Sequence, residues 1–130
     1  VADFLMFTEG KNEMLANGLP STCTFDLSTQ AIEVGGLEAA DTFAGGYGIA
    51  TGTGYTAKTQ SEPTPSAGQA VFAQMSWSTG SATDWPAAVK SVVLRTGSKL
   101  ICAWHLQAGG AGRAMNVANT TENVTPTLTF

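Results

Sequence analysis

One stretch limits what this chain can fold into more than any other. Residues 89–106 hold Val89, Val92, Val93 and Leu94, a turn around Gly97, then Leu100, Ile101, Cys102, Ala103, Trp104 and Leu106. No other run is so apolar and β-branched, and it reads as a β-hairpin. Side chains along a strand alternate between two faces. Leu100, Cys102, Trp104 and Leu106 therefore share one face of the second arm, and Val92 and Leu94 share a face of the first. Aligning these faces opposes Leu94 to Leu100 and Val92 to Cys102, across an odd-numbered loop. A two-residue loop would instead oppose Val93 to Leu100 and turn Lys99 inward, so it is rejected. Val93, Ile101 and Ala103 make the second face apolar as well. A strand pair apolar on both faces belongs in the middle of a sheet, covered on two sides.

The remaining chain supplies material for such a sheet. Residues 22–27 set Cys23, Phe25 and Leu27 against Thr22, Thr24 and Asp26, the alternation of a half-buried strand. Residues 55–60 alternate weakly, as an edge strand would. Val71, Ala73, Met75 and Trp77 share one phase of a further strand, and a short strand is expected at 115–117. Val124, Pro126, Leu128 and Phe130 share a phase opposite Thr125, Thr127 and Thr129. Pro126 has no N–H to donate, so that strand lies at an edge or begins near it. One short helix is expected at 9–17, with Thr8 as its cap, Met14 and Leu15 inward, and Gly18 and Pro20 ending it. Seven to nine short strands with frequent turns indicate a mainly β fold, an antiparallel β-sandwich or jelly-roll-like domain spanning 1–130. Residues 1–20 would form an N-terminal arm and the helix. The dense cluster Phe4, Leu5, Met6 and Phe7 is expected to be anchored in the chain's own core, with a neighbouring subunit as the alternative.

Charge excludes some functions. Six basic and ten acidic residues give a net charge of −4, and charged residues are only 12% of the 130, against ~25% in ordinary domains. The six bases are scattered, so a run of phosphates could not be neutralised and direct nucleic-acid binding is not expected. No apolar run is long enough to span a membrane as a helix. The start lacks the basic region and cleavage site of an intact signal peptide. Cys23 and Cys102 sit in apolar phases and read as buried free thiols, a single disulfide being the alternative.

No constellation carries chemistry. His105, the lone histidine, has no nucleophile beside it in its strand and reads as a satisfied or exposed strand residue. One histidine and two core-phase cysteines do not make a zinc site. Glu33, Glu38 and Asp41 lack the regular spacing of a calcium loop. Gly46 and Gly48 are followed by Thr51 where a dinucleotide fingerprint needs glycine, with no helix after it. No catalytic residue, cofactor or metal is expected. Tyr47, Tyr55 and Trp85 lie in loop-like contexts and are candidates for protein contact or a sugar platform.

In the order of its elements the chain resembles small structural proteins of tailed bacteriophages, the head-decoration and tail-fibre-like group. Four places carry the likeness: the helix containing Gly10, Lys11, Asn12, Met14 and Leu15; Tyr55 to Lys58; Asp84-Trp85 leading through Val89 and Val92 to Leu94; and the closing strand after Asn119. The early segment Phe25 to Gln30 lacks the histidine and proline common there. The resemblance implies a virion structural protein with a β-sandwich, made in a bacterial cytoplasm. Its partners would be the major capsid protein and copies of itself, as a homotrimer. The contact residues inferred are Phe4, Leu5, Phe7, Tyr47, Tyr55, Trp85 and Pro86. A tail-fibre or baseplate adaptor is the alternative within the virion. A carbohydrate-binding module or adhesin is the alternative outside it.

Overall fold

The computed structural model describes residues 3–129. Val1, Ala2 and Phe130, which the sequence places in the terminal arm and the last strand, lie outside the described residues. In chain order the elements are β1 (Phe4–Met6), α1 (Thr8–Asn17), β2 (Thr22–Ser28), β3 (Lys58–Ser61), β4 (Gln69–Val71), β5 (Met75–Ser78), β6 (Ser91–Arg95), β7 (Leu100–His105), β8 (Thr121–Val124) and β9 (Thr127–Thr129). All pairings between these strands are antiparallel. The fold is mainly β, sandwich-like, with a single α-helix among the described residues. A five-stranded sheet runs β1-β7-β6-β2-β3, and β4-β9 and β5-β8 form two short ribbons. The hairpin β6-β7 is central, as its two apolar faces require.

Its register differs from the one expected. Leu94 faces Cys102 and Val92 faces Trp104, while Arg95 faces Leu100. Ile101 is thus one residue too many on β7, a β-bulge. The extra residue reverses the phase at the start of β7. Leu100 joins Val93 and Ala103 on one face, and Ile101 joins Val92, Leu94 and Cys102 on the other. The loop is closed by Thr96, whose N–H donates to Lys99 O (2.9 Å) and whose Oγ1 accepts from the N–H groups of Ser98 and Lys99.

The same device recurs opposite. The single strand expected at 71–77 is broken: Val71↔Thr127 and Met75↔Val124 enclose three residues, Phe72 to Gln74, against two, Thr125 and Pro126. The phase flips, so Phe72 is buried and Val71 faces solvent. Gln60 bridges the break: its Oε1 accepts from Ala73 N–H (2.9 Å) and its Nε2 donates to Ala73 O (3.1 Å). Pro126 ends one ribbon and β9 starts directly after it. The strand expected at 115–117 does not form, although Met115 is buried.

Two cores result, one on each face of the large sheet. The first joins Phe25, Leu27, Leu94 and Ile101 to Phe72, Trp77 and Leu128 of the ribbons. The second joins Phe7, Val93, Leu100 and Ala103 to Ile32, Leu37 and Tyr47 from the irregular segment 29–56. Each fully buried large apolar side chain is worth about 1.5–3 kcal/mol, so both layers contribute heavily to stability.

The terminal cluster is anchored in the chain's own fold. β1 pairs with β7, Phe4 facing Trp104 and Met6 facing Cys102. At ten residues α1 is too short to persist without packing. Gly10 lets it dock: a Cβ there would overlap the backbone of Ile101. Thr8 is not the cap. Phe7 holds that position without a side-chain bond, and Thr8 N–H donates to Ala39 O (2.8 Å). Glu9 Oε1 accepts N–H groups from both Leu100 and Phe43 (each 2.7 Å), tying the helix start to the bulge. With Gly10 and Met14 facing the sheet, four residues apart, Leu15 must turn outward and is 87% exposed. Gly18 ends the helix at φ 73°, a conformation glycine adopts without strain.

Candidate functional site

Three of the expected contact residues are internal. Phe7, Tyr47 and Trp85 are 0%, 2% and 3% exposed, so none can anchor the chain to a partner. Trp85 stacks against Gly52, where a Cβ would strike the indole. Its Nε1–H donates to Thr53 O (2.8 Å), and Tyr55 meets it edge-on at 5.4 Å. Asp84 fixes the same turn, accepting Thr53 N–H (3.0 Å) and Oγ1–H (2.7 Å). The Thr53 N–H, then its hydroxyl, hold the Asp84 carboxyl below its ordinary range. Phe4, Leu5, Tyr55 and Pro86 remain half-buried. The sugar platform of Tyr47, Tyr55 and Trp85 is overturned for the same reason: Tyr47 and Trp85 are core residues and the Tyr55 hydroxyl is occupied.

The densest polar cluster lies where the sequence suggests a solvent-facing residue. Asp26 is 2% exposed. Its Oδ2 accepts from Tyr47 Oη–H (2.7 Å) and Arg95 Nε–H (2.6 Å), and its Oδ1 accepts from Tyr55 Oη–H (2.8 Å). The Tyr55 oxygen also accepts the Leu27 N–H (2.9 Å), a ladder donor that β3 does not reach. Arg95 lies over the Phe43 ring at 5.3 Å. Burial, and after it the neighbouring Asp26 carboxylate, pushes both phenols well above their ordinary range. A carboxylate saturated by three donors and closed off from solvent is structural. It fastens segment 29–56 to the sheet.

His105 is similarly committed. Its side chain is buried and its Nδ1 lies 2.9 Å from Asp3 Oδ1. Ile32 N–H donates to Nε2 (2.8 Å), which assigns the ring proton to Nδ1. Asp3 also accepts Gly109 N–H (2.8 Å). The His105 bond and then that N–H draw the Asp3 carboxyl below its usual range. An aspartate–histidine pair resembles part of a catalytic triad, but the Nε2 that would act as base is capped by backbone.

Cys23 and Cys102 are free and buried. They lie on β2 and β7 with β6 between them. Two strand spacings, roughly 9–10 Å, exceed the reach of a disulfide, about 7 Å between Cα atoms. Burial, with the Glu62 charge second, raises the Cys23 thiol to about 11. Among the described residues no group of three or more His, Cys, Asp or Glu side chains could hold a metal ion. No helix among the described residues is long and apolar enough to cross a membrane.

Three surface hollows stand out among the described residues. Two flank Trp104, of about 370 and 440 Å³. The third, about 370 Å³, is lined by Met6, Lys11, Met14 and Leu15. Trp104 is the functional candidate that sequence reasoning missed. Its core phase was legible, but the half-open face it shows between β1 and β9 depends on tertiary packing. Comparison of the chain with protein-family models, curated protein sequences and solved structures gives no match.

Proposed function

We propose that this chain is a virion structural protein of a tailed bacteriophage, a decoration protein bound to the outer surface of the major capsid lattice as a homotrimer. The observation that carries the reading is the character of the surface. Leu15 and Val34 are 87% and 93% exposed, and Ile49, Val71 and Val117 are also solvent-facing, on a chain with only 12% charged residues. Single exposed apolar residues are ordinary. Five of them on a charge-poor surface suit a protein that covers itself with other protein. The resemblance in element order supports the same reading. Attachment would need about 1,200–2,000 Å² of total burial per contact. Symmetry multiplies the effect, because separating capsomers must break several contacts together.

The internal placement of Phe7 and the pairing of β1 with β7 change how this is tested. Deleting the terminal segment would remove core, so a surface substitution is the cleaner probe. Leu15→Glu is expected to lower occupancy on purified capsids while leaving the melting transition unchanged. Quantitative gel densitometry of particles gives the second arm. Hundreds of copies per particle fit the decoration role. Six to a few dozen would move the chain to the tail, and absence from particles would overturn the reading.

A further inference from the structure

We propose that the trough on either side of Trp104 is a carbohydrate-binding site for a neutral glycan chain, an inference that does not rest on a place in a virion. The two hollows share Trp104 and Thr127. Each is of the size that small ligands occupy. Sugars offer apolar C–H faces, which stack on aromatic rings, and rims of hydroxyls, which need donors and acceptors close by. The trough supplies both.

The aromatic part is rigid. Trp104 is half-buried, with its Nε1–H donated to Thr127 O (3.0 Å). Phe4 lies 5.6 Å from its ring at 55°, and Phe25 supports it from behind at 6.4 Å. A ring already held in place loses little freedom when a ligand stacks on it. The polar part is threonine. Pro126 and Leu128 are buried while Thr125, Thr127 and Thr129 are exposed or half-buried, and these three threonines line the hollows beside Trp104. Each hydroxyl can donate and accept. Among the described residues, neither the Thr125 nor the Thr127 hydroxyl has a hydrogen-bond partner. Asn123 adds an amide at one end.

Charge narrows the ligand. Asp3 lies at one end and Glu122 at the other, Glu122 being paired at 3.5 Å with Arg113. Two carboxylates disfavour uronic or sialic acids and leave neutral sugars. An extended peptide fits less well. Peptides that add to a sheet need a free backbone edge, and Thr127 O on this side already takes the indole N–H, while β9 pairs with β4 on the other.

The test is titration of the full ¹⁵N-labelled chain, following the three indole N–H resonances. Probes are a neutral glycan array to choose the strongest binder, chitohexaose and cellohexaose as starting ligands, hexagalacturonate, and an alternating Thr–Val octapeptide. A neutral oligosaccharide is expected to shift Trp104 and leave the buried Trp77 and Trp85 unmoved. Thr125→Val with Thr127→Val keeps shape and strand preference and should weaken binding about tenfold, from two lost hydroxyl partners. The melting transition of that variant should be unchanged, which separates the site from the fold. Trp104→Phe should weaken binding further. The proposal is overturned if no neutral glycan on the array binds, if only the acidic sugar or the peptide moves Trp104, or if binding survives the double threonine variant intact.

Discussion

The two faces of the central sheet solve the same problem with different physics. On one face Phe25, Leu27 and Leu94 meet Phe72, Trp77 and Leu128 from the ribbons, and the contact is apolar and non-directional. On the other face the cover is the irregular segment 29–47, which supplies Ile32, Leu37 and Tyr47. Residues 48–50 run along the edge of β2, and Ala50 and Tyr55 pack into the ribbon-face core. The cover is held by Phe7, Tyr47 and Leu37 packing and by directional bonds: Asp26 to Tyr47 and Arg95, Ser28 Oγ–H to Tyr47 O (2.6 Å), and Ser91 Oγ–H to Gln30 O (2.6 Å). Tyr55 reaches Asp26 from the sheet edge while its ring packs on the ribbon-face core. The ribbon face should tolerate changes of shape that conserve volume. The loop face should tolerate changes of volume better than loss of a single polar atom.

The largest expected effect is at Asp26. Asp26→Ala leaves three buried or part-buried donors without their acceptor and should cost about 3–5 kcal/mol, the range for breaking a buried charged pair. Leu27→Met, one residue away and on the opposite face, should cost under about 1.5 kcal/mol. Urea unfolding of both variants checks the contrast, and equal losses would remove it. Next in size is Tyr55→Phe, at about 1–3 kcal/mol, since it orphans both an Asp26 oxygen and the Leu27 N–H. Tyr47→Phe removes one bond and should fall at the low end of that range in the same assay.

A smaller effect appears at high pH. Both phenols titrate higher in the folded chain than in the unfolded one. A proton held more tightly in the native state contributes stability that is complete below the unfolded value, about 10, and is lost as pH rises toward the folded value. Stability should therefore decline above about pH 10, and the decline should be shallower in Tyr55→Phe. An equally steep alkaline loss in that variant would remove the phenols as its cause. The smallest effect concerns the thiols on the ribbon face. Burial raises Cys102 well above its ordinary range, and Cys23 to about 11. Alkylation at neutral pH should therefore be slow in the native chain and fast in urea, read by mass spectrometry.

Much of the ribbon face was legible from alternation. The central placing of β6 and β7, the inward phase of Phe25 and Leu27, and the role of Pro126 as a strand boundary all follow from period-2 patterning. Where the reading failed, one extra residue had reversed the phase. Ile101 moves Leu100 to the other core, and the three residues 72–74 put Phe72 in and Val71 out. Around Ile101 both phases are apolar, so the bulge leaves no mark in the pattern, and at 71–77 the small Ala73 fits either phase. The loop face was less legible for another reason. Asp26 sits beside Thr22 and Thr24 in a phase that looks solvent-facing, and its donors come from 21, 29 and 69 residues away. Nothing local announces them. Tyr47 and Trp85 looked exposed because their neighbours are turn residues, yet those turns fold inward over the sheet. The Trp104 trough needed β1 and β9 to be brought together before it could be seen.

Hydrogen exchange, resolved by residue, tests most directly the claim that a polar network and not packing alone fastens the cover over the sheet. In the double variant Tyr47→Phe with Tyr55→Phe, the Leu27, Thr29 and Ala50 amides should lose protection while those of Leu94 and Cys102 keep theirs. Uniform loss across both sets, or no loss in either, would contradict it.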